Sequence, residues 1–463
     1  MNPDLNRRSF LGTGAAGLGY FFTAPAISAA RLGRKPNETL RFAGIGVGGK
    51  GSSDIDNAGN LGEVVALCDC DEGQIEPKAK KWPGAKKFHD FRRMLEVMEK
   101  HIDAVTVSTP DHNHAIAAVL AMRMGKHVYV QKPLAHTVFE ARVLKETAHK
   151  HNVCTQMGNQ GSAENGLRRA VELIQGGIIG PVTEAHVWTN RPIWPQAPKI
   201  TARPNKADVW PKSLDWDAFI GGAPLRPYVA GVYHTFNWRG WWDFGTGAIG
   251  DMACHTANMA FRALKLGHPI AISAENGEIN PETYPAWAHI VIEFPAREGL
   301  PPVKLHWYEG HKDDKLVLPS EDITRKFLRD GEKLPDSGSF LVGEKGFLYS
   351  PNDYGAQFRI SPRGLAEGKN LHTPEKLPIN NKGDQGMKDE WVEAIKAGKP
   401  EIAYSNFDYA SLLTEAFLLG NVAIRTGKKL EWDGPALKVT NVPEANRYIQ
   451  THYRRGWEVT RGG

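Results

Sequence analysis

Short apolar runs alternate with amphipathic stretches through the first third of the chain. A run that is apolar almost throughout predicts a strand covered on both faces, whereas apolar residues three and four positions apart predict a helix. The predicted strands are residues 40–45, 63–68, 104–108 and 127–131, and the predicted helices are residues 52–61, 91–100, 112–125 and 138–151. Strands that alternate with helices in this order indicate a doubly wound parallel sheet.

The pattern changes after residue 159. Proline and tryptophan become frequent, and residues 287–294 and 303–308 alternate between polar and apolar positions, as antiparallel strands with one covered face do. Residues 389–426 show helical spacing, and we expect these helices to pack back on the first domain. The predicted fold is α/β, with an N-terminal doubly wound parallel sheet and a C-terminal α/β domain whose open sheet is mainly antiparallel. The predicted divisions are residues 1–33, 38–158, 159–388 and 389–463.

The N-terminus has the pattern of an export signal. Arg7 and Arg8 precede an uncharged run, rich in glycine and alanine, that ends near Ala30. This arrangement is typical of a twin-arginine signal, so we expect the twin-arginine export machinery as a partner and the periplasm as the location. Pro25 and the glycines interrupt the run, which argues against a membrane span. An uncleaved N-terminal anchor is the alternative.

Composition excludes some classes of function. The chain has 463 residues, more than one ordinary core needs, and a net charge of +5 without a block of Lys or Arg, which argues against a nucleic-acid partner. The four cysteines show neither a CxxC pair nor metal-ligand spacing, so we predict buried thiols and no metal site. The 13 tryptophans fit either sugar stacking or an ordinary core.

A glycine-rich loop follows the first predicted strand. Two GxGxxG registers overlap: one uses Gly44, Gly46 and Gly49, and the other uses Gly46, Gly48 and Gly51. The second leaves a full six-residue strand ahead of the loop, and we prefer it for that reason. Glycines at these positions allow a tight turn and let backbone N–H groups approach a pyrophosphate at a helix N-terminus. A turn without any ligand is the alternative.

An acidic residue stands at the distance that a dinucleotide site needs. Asp69 ends the second predicted strand, 23 residues after Gly46, and its carboxylate is suited to accept hydrogen bonds from ribose hydroxyls. This spacing favours a Rossmann site for NAD over NADP. The predicted cofactor residues of this loop are Gly46, Val47, Gly48, Gly49, Gly51 and Asp69.

Three further motifs follow the glycine loop in order. They are Ser108-Thr109-Pro110-Asp111-His112-Asn113-His114, Val130-Gln131-Lys132-Pro133 and Gly250-Asp251-Met252-Ala253-Cys254-His255. The ordered set resembles the Gfo/Idh/MocA family, which includes glucose–fructose oxidoreductase and inositol dehydrogenase. The resemblance implies a nicotinamide-dependent oxidoreductase that moves hydride between tightly bound NAD and a secondary hydroxyl of a sugar, glycoside or cyclitol.

The resemblance also implies further cofactor residues. The family usually has Glu-Lys-Pro where this chain has Gln131-Lys132-Pro133, so the lysine is retained and the acid is lost. A cis bond before Pro133 is implied as well. The additional cofactor residues implied are Thr109, Pro110, His114, Gln131 and Lys132. The alternative for the first of these motifs is a plain turn in which Asp111 or Asn113 caps the following helix, and the two readings are compatible.

The catalytic assignment combines chemistry with the resemblance. Oxidation of a secondary alcohol requires a group that takes the hydroxyl proton and a cation that stabilises the developing alkoxide. We assign His255 as general acid/base, Lys132 as polariser and proton partner, and Asp251 as the residue that orients substrate and His255. Asp251 and His255 are four positions apart and share a face of a helix. On spacing alone, a capping aspartate and a core histidine are favoured; the family pattern favours catalysis.

Polar and aromatic residues of the second domain are the candidates for binding the sugar. Asn159 and Gln160 follow a strand end at the expected domain junction, and residues 191–196 and 238–243 combine aromatic with polar side chains. For these aromatic segments, a sugar-binding rim and core packing are equally favoured. The predicted substrate residues are Asn159, Gln160, Arg191, Trp194, Asp251 and His255.

Two other functions stay open at this stage. One is an NAD-dependent glycosidase that oxidises the sugar transiently, and the other is a non-enzymatic sugar-binding protein. The joint presence of Lys132, Asp251 and His255 argues against the second. We expect a homodimer or homotetramer formed through the open face of the second sheet, as the resemblance implies.

Overall fold

The computed structural model describes residues 39–193 and 200–461. The predicted export signal and Trp194 lie outside the described residues. Within the described ranges, no helix has both the length and the apolar character that a membrane crossing requires.

The N-terminal domain is built on six parallel strands. They are β1 (Arg41–Ile45), β2 (Glu63–Cys68), β3 (Lys86–Phe88), β4 (Ala104–Val107), β5 (His127–Val130) and β6 (Thr155–Met157). The spatial order β3-β2-β1-β4-β5-β6 changes direction at β1, and all pairings are parallel. This confirms the predicted doubly wound sheet. In such sheets ligands bind outside the carboxyl ends of the strands, where the order reverses, which is beside β1 and β4 here.

Helices connect these strands. They are α1 (Gly49–Gly59), α2 (Glu72–Lys81), α3 (Phe91–Met98), α4 (His114–Arg123) and α5 (Val138–His151). The bounds of α5 match the prediction because local signals define both ends. Thr137 and Glu140 form a capping box at its start, and Asn152 ends it in the left-handed conformation.

Two elements of this domain were not predicted. The α2 sequence is rich in lysine and contains Pro77, so it carries only one buried apolar residue, Ile75. The β3 strand is a short edge strand with two exposed lysines, a composition that protects an edge from pairing with other chains. Neither segment has the apolar run or periodicity on which sequence prediction depends.

The second domain contains a ten-stranded sheet. Its strands are β7 (Val182–Thr189), β8 (Ala271–Asn276), β9 (Trp287–Phe294), β10 (Val303–Lys312), β11 (Lys315–Leu316), β12 (Gly338–Gly343), β13 (Phe347–Ser350), β14 (Arg359–Ser361), β15 (Leu430–Asp433) and β16 (Lys438–Val439). The order is β14-β13-β12-β7-β10-β9-β8-β15-β16, with β11 paired to β10. Among the described strands of this sheet, β7 and β10 alone pair in parallel, which confirms a mainly antiparallel sheet. Residues alternate between buried and half-buried along β9, as its sequence predicts.

Between β6 and β12, the described ranges contain five shorter helices. They are α6 (Asn165–Gln175), α7 (Trp216–Ile220), α8 (Gly247–Thr256), α9 (Asn258–Ala263) and α10 (Glu321–Thr324). Two long helices follow near the C-terminus, α11 (Gly383–Ala397) and α12 (Phe407–Thr426).

Helix α11 packs on the parallel sheet of the first domain. The ring of Trp391 lies 5.8 Å from the rings of both Phe42 and Tyr129, and Met387 and Trp391 are fully buried in that domain's core. Helix α12 packs against α5 on one side and against β8 on the other. The late helices therefore hold the two sheets together, and the candidate site lies at the junction.

Candidate active site

Neighbouring atoms lie very close to three glycines of the glycine loop. Gly46 has φ +75°, and a Cβ atom there would lie 2.7 Å from the carbonyl oxygen of Ser108. A Cβ on Gly51 would collide with the carbonyl oxygen of Gly46, and one on Gly48 with the side chain of Gln74. Helix α1 begins at Gly49 without a side-chain cap, so its first N–H groups face the cleft. These contacts fit the register Gly46, Gly48, Gly51 and the cradle of a pyrophosphate.

We expect Gly46→Ala to abolish dinucleotide binding. The substitution puts a methyl group against the backbone of Ser108 and forces alanine into a left-handed conformation that costs about 1–2 kcal/mol. Binding is measured as the nicotinamide released from the denatured protein. Gly84→Ala is the control, because a Cβ at that exposed glycine meets nothing within 4 Å. A Gly46→Ala protein with normal nicotinamide content would contradict the assignment of the loop.

Asp69 closes the loop from the end of β2. Its Oδ2 accepts hydrogen bonds from the backbone N–H groups of Val47 (2.9 Å) and Gly48 (3.3 Å), and its Oδ1 accepts one from Asp71 (3.1 Å). Burial raises the pKa of Asp69, and the three backbone N–H groups act against that rise. The carboxyl group lines the cleft.

A second loop approaches the cleft after β4. The imidazole of His114 lies between the carbonyl oxygens of Thr109 and Pro133, 2.8 Å from each. Thr109 and Pro110 line the cleft, and the Lys132–Pro133 peptide bond is cis, as the resemblance implied. His114 thus connects the predicted second cofactor loop to the loop that carries Lys132.

Gln131 belongs to a buried charged network. Its Nε2 donates a 2.8 Å hydrogen bond to Asp54 Oδ2, which also accepts from Ser108 Oγ at 2.9 Å. Asp54 Oδ1 lies 2.5 Å from the Nζ atom of Lys388, and both side chains are fully buried. Gln131, which stands where the family usually has a carboxylate, thus donates a hydrogen bond to the buried carboxylate of Asp54.

Lys132 and Asp251 form the centre of the candidate site. Lys132 Nζ lies 2.6 Å from Asp251 Oδ1 and donates to the Asp251 carbonyl oxygen at 3.0 Å. Burial alone would raise the pKa of Asp251, but the charge and hydrogen bond of Lys132, together with the charge of Arg239, outweigh burial and lower that pKa to about 2. Burial would likewise lower the pKa of Lys132, but Asp251, Cys254 and Asp111 together outweigh burial, so that the pKa of Lys132 is raised. At neutral pH the pair is an ammonium and a carboxylate.

His255 lies on the same face of α8 but is arranged differently from the prediction. No hydrogen bond between Asp251 and His255 occurs among the described residues, because Asp251 is turned towards Lys132. His255 is 4% exposed, its Nδ1 is buried without a hydrogen-bond partner, and its ring meets Tyr354 edge-on. Burial, and then the charge of Lys132, lower the pKa of His255 well below its usual value. The predicted orienting contact from Asp251 to His255 is therefore replaced by an ion pair to Lys132.

The amides after β6 lie beside this histidine. Asn159 is fully buried and donates from Nδ2 to the carbonyl oxygen of Cys254 at 3.2 Å, while its Oδ1 has no partner. Gln160 donates to the Tyr354 hydroxyl at 3.1 Å. Tyr354 is a site candidate that the sequence did not indicate, because it lies in an irregular loop after β13 that carries no motif.

The tryptophan-rich segments divide between the two predicted roles. Trp241 and Trp242 are buried at 1% and 5% exposure and donate to backbone carbonyls, so they are core residues and form no sugar-binding rim. Trp238 lines the cleft, and the Arg239 guanidinium stacks 4.2 Å from its ring. Arg191 Nη1 lies 3.9 Å from Asp251 Oδ2, at the mouth of the site.

Residues 208–245 fold over the glycine loop, and we call them the cap segment. They have their own aromatic core, in which Trp216 and Phe219 stack with ring centres 4.9 Å apart. The backbone of the cap segment bonds to the loop after β2, from Asp215 N–H to the Cys70 carbonyl (2.7 Å) and from Glu72 N–H to the Ser213 carbonyl (2.8 Å). The result is a cleft of about 390 Å³ between the first domain and the cap segment.

The capping role predicted for Asp111 or Asn113 is wrong. Neither side chain caps α4. Asn113 instead donates to the Phe219 carbonyl (3.2 Å) and accepts from Gly222 N–H (3.4 Å), which fixes the cap segment in place. Asp111 accepts a hydrogen bond from Thr246 at the start of α8. Both side chains thus form hydrogen bonds to residues of the second domain. Within the described residues, no cluster of His, Cys, Asp or Glu has the geometry of a metal site.

Together the parallel sheet, the glycine cradle and the second domain define a two-domain dinucleotide-binding protein. Residues 40–159 match the oxidoreductase family described as NAD-binding Rossmann fold, and residues 192–298 match the C-terminal alpha/beta domain of the same oxidoreductase family. Both matched regions are those of the Gfo/Idh/MocA family, which the motifs resemble.

Curated relatives match over part of their length. A glycosyl hydrolase family 109 protein of Solibacter usitatus is 32% identical over 170 residues, which are 34% of this chain and 38% of the relative. An inositol 2-dehydrogenase of Salmonella typhimurium is 28% identical over 153 residues, 32% of this chain and 45% of the relative. The chain thus spans less than half the length of the curated relatives it matches.

Solved structures share the fold over most of the chain. An aldose-aldose oxidoreductase from Caulobacter crescentus complexed with glycerol has a TM-score of 0.57 at 15% identity, covering 85% of this chain and 100% of that chain. The WlbA dehydrogenase from Bordetella pertussis, in complex with NADH and UDP-GlcNAcA, has a TM-score of 0.57 at 16% identity, covering 86% and 99%. At this identity the likeness shows the architecture.

Proposed function

We propose that this protein is an NAD-dependent oxidoreductase that acts on a secondary hydroxyl group of a sugar, glycoside or cyclitol. The observation that carries the proposal is that one cleft contains both the glycine cradle and the Lys132–Asp251 ion pair. The glycines suit a dinucleotide because the backbone packs so tightly at Gly46 and Gly51 that a Cβ has no room there. The inositol 2-dehydrogenase and oxidoreductase relatives support this class of reaction.

The residues of the chain prepare the substrate in this proposal. When bound, the nicotinamide supplies the hydride acceptor for the carbon that bears the hydroxyl group. The Lys132 ammonium donates a hydrogen bond to the hydroxyl oxygen and stabilises the charge that develops there. Asp251 holds Lys132 protonated and in place. His255, predicted from the sequence to be the general acid/base, is neutral at pH 7 and has its Nδ1 atom unpaired.

Asp69 supports NAD as the cofactor. Its carboxyl group and the neighbouring Asp71 stand at the end of β2, where the adenosine ribose lies in Rossmann sites. The 2′-phosphate of NADP would meet these two acidic side chains, and repulsion between like charges disfavours it. We therefore propose NAD, with NADP disfavoured.

The cap segment supports tight retention of this cofactor. Phe219, His234 and Phe236 line the cleft opposite the glycine loop, so that a bound dinucleotide would lie between the domain and the cap segment. Retention suits the periplasmic location proposed from Arg7 and Arg8, because free NAD is not available there. A retained cofactor that has accepted hydride must then be reoxidised by a second sugar or carbonyl compound. A homodimer or homotetramer through the second sheet is part of the same proposal.

We expect purified protein to release NAD only on denaturation. The test is mass spectrometry of the supernatant before and after heat denaturation of exhaustively dialysed protein, followed by a sugar screen for reduction of the retained cofactor. Phe219→Ala should lose most of the NAD on dialysis, because Phe219 both lines the cleft and packs the core of the cap segment. Leu225→Ala is the matched control, since Leu225 is in the same segment and is 68% exposed. Wild-type supernatant without nicotinamide would overturn the retention.

A second candidate is an NAD-dependent glycosidase that oxidises its substrate transiently. The match to the glycosyl hydrolase family 109 protein of Solibacter usitatus favours it. The two functions use the same cleft and differ in the product. Incubation with aryl glycosides separates them: release of the aglycone supports the glycosidase, and a keto-glycoside without aglycone release supports the oxidoreductase.

A further inference from the structure

Asp111 is a buried carboxyl group on the wall of the cleft that the mechanism above does not use. Only 5% of this residue is exposed, and it lines the cleft together with Lys132 and Asp251. Its Oδ2 accepts a 2.7 Å hydrogen bond from Thr246 Oγ1. Thr246 directly precedes α8, so the carboxyl group stands between the second cofactor loop and the helix that carries Asp251. In the described part of the chain, no Lys or Arg forms an ion pair with it.

The surroundings of Asp111 keep it close to its titration point at neutral pH. Burial raises the pKa of Asp111 to about 7. The hydrogen bond from Thr246 and the positive charges of Arg239 and Lys132 lower the pKa, whereas the charge of Asp251 raises it further. Asp111 and Asp251 are thus two carboxyl groups in one cleft whose environments separate their pKa values, an arrangement that divides acid and base roles in enzymes.

The other titratable groups that face Asp111 keep a fixed charge near neutrality. Asp251 has its pKa at about 2, and that of its partner Lys132 is raised above the usual value. Burial raises the pKa of the Cys254 thiol to about 12 and that of the Tyr284 hydroxyl well above its usual value. His255 is neutral, and a proton on it is disfavoured by burial and by Lys132. Among these groups, Asp111 is the one suited to exchange a proton at pH 7.

We propose that Asp111 is a further catalytic residue, which takes the proton of the substrate hydroxyl while Lys132, held in place by Asp251, donates a hydrogen bond to the hydroxyl oxygen. The proposal rests on the oxidation proposed above. The O–H bond breaks and its proton goes to the Asp111 carboxylate. The electron pair of that bond forms the second C–O bond, and the hydrogen on carbon leaves with its electron pair as hydride to oxidised NAD. In the return reaction Asp111 gives the proton back to the carbonyl oxygen.

The test compares Asp111→Asn, His255→Ala and Thr246→Val with the wild-type holoenzyme. The probes are methyl β-D-glucopyranoside and myo-inositol, and the rate is the reduction of the retained nicotinamide followed by absorbance from pH 5 to 9. Asp111 can accept a proton only while its carboxyl group is ionised. Wild-type activity should therefore fall as the pH drops below about 7. Asp111→Asn keeps the acceptor for Thr246; it should lower kcat by about 10²–10⁴-fold and remove this low-pH limb.

Thr246→Val separates a catalytic from a structural role. The Thr246 hydroxyl lowers the pKa of Asp111, so its loss should move the low-pH limb to higher pH and leave the rate at pH 9 close to wild type. His255→Ala should keep the limb where it is. If the limb persists in Asp111→Asn or disappears in His255→Ala, the assignment of Asp111 is overturned.

Failure of the proposed oxidation is recognised separately. The carboxyl band of the holoenzyme is titrated by infrared difference spectroscopy, which needs no substrate. A band that titrates near neutral pH in wild type and is missing in Asp111→Asn supports the assignment even when neither probe reduces the nicotinamide. If no such band exists, the assignment of Asp111 is overturned, whatever the activity on sugars.

Discussion

Lys132→Met should lower the rate of hydride transfer by about 10³-fold or more, the largest effect on activity that we expect from a single substitution. Methionine keeps the length of the side chain but removes the cation that stabilises the alkoxide, and it leaves the buried Asp251 carboxylate without its 2.6 Å partner. The measurement is single-turnover reduction of retained nicotinamide by a sugar found active in the screen. NAD content should change little, because the glycine cradle is untouched.

Two variants control this result. Lys81→Met removes a half-exposed lysine on α2 and should leave the rate unchanged. Asp251→Asn keeps a hydrogen-bond acceptor for Lys132 and removes the negative charge that raises the pKa of Lys132. That pKa should then fall, and activity should decline at high pH in a range where the wild type is still active. A Lys132→Met protein that turns over within tenfold of wild type would rule out the role of this lysine.

Lys388→Met should lower the free energy of unfolding by about 3 kcal/mol, because the buried Asp54 carboxylate loses its 2.5 Å partner and keeps the partly exposed Lys50 at 3.3 Å. Burial alone would raise the pKa of Asp54, and the charges of Lys388 and Lys50 outweigh it, so Asp54 depends on these lysines to stay ionised. Denaturant unfolding followed by circular dichroism measures the effect. NAD content should fall too, since Asp54 also holds Ser108 and Gln131 beside the cleft.

Two control variants show whether the effect of Lys388→Met comes from the buried ion pair. The double variant Lys388→Met with Asp54→Asn removes both charges and should recover much of the lost stability. Lys87→Met breaks exposed ion pairs to Glu72 and Glu76 and should cost no more than about 1 kcal/mol. If Lys388→Met and Lys87→Met lower the free energy of unfolding equally, the buried ion pair contributes no more to stability than an exposed one.

Features with local causes were predictable from the sequence. The glycine loop followed from its position after the first strand, and in the structure Gly46 and Gly51 meet backbone atoms that exclude a Cβ. The bounds of α5 followed from its periodicity, which its capping residues delimit. The bounds of strands β2 and β9 were predicted to the residue. A nearly continuous apolar run marks β2, and alternating apolar and polar residues mark β9.

Features that depend on distant contacts were not predictable. Lys388 and Asp54 are 334 positions apart, and Asp111 and Thr246 are 135 positions apart. A lysine inside an amphipathic helix is normally taken as a solvent-exposed residue, and an aspartate before a helix as a cap. Only the tertiary structure shows that each of these side chains is buried against a residue from another part of the chain.

The contribution of α11 to the first domain has a consequence for synthesis. Met387, Lys388 and Trp391 complete the core around the parallel sheet, yet they are translated more than 200 residues after the last strand of that sheet. The dinucleotide domain therefore cannot finish folding while the ribosome is still making the second domain, in contrast to the usual order in which N-terminal domains fold first. A chain truncated before α11 should expose a hydrophobic sheet face and leave Asp54 without its buried partner Lys388. Only a complete chain should reach the compact state, and a transport route that accepts folded proteins would thereby select full-length molecules.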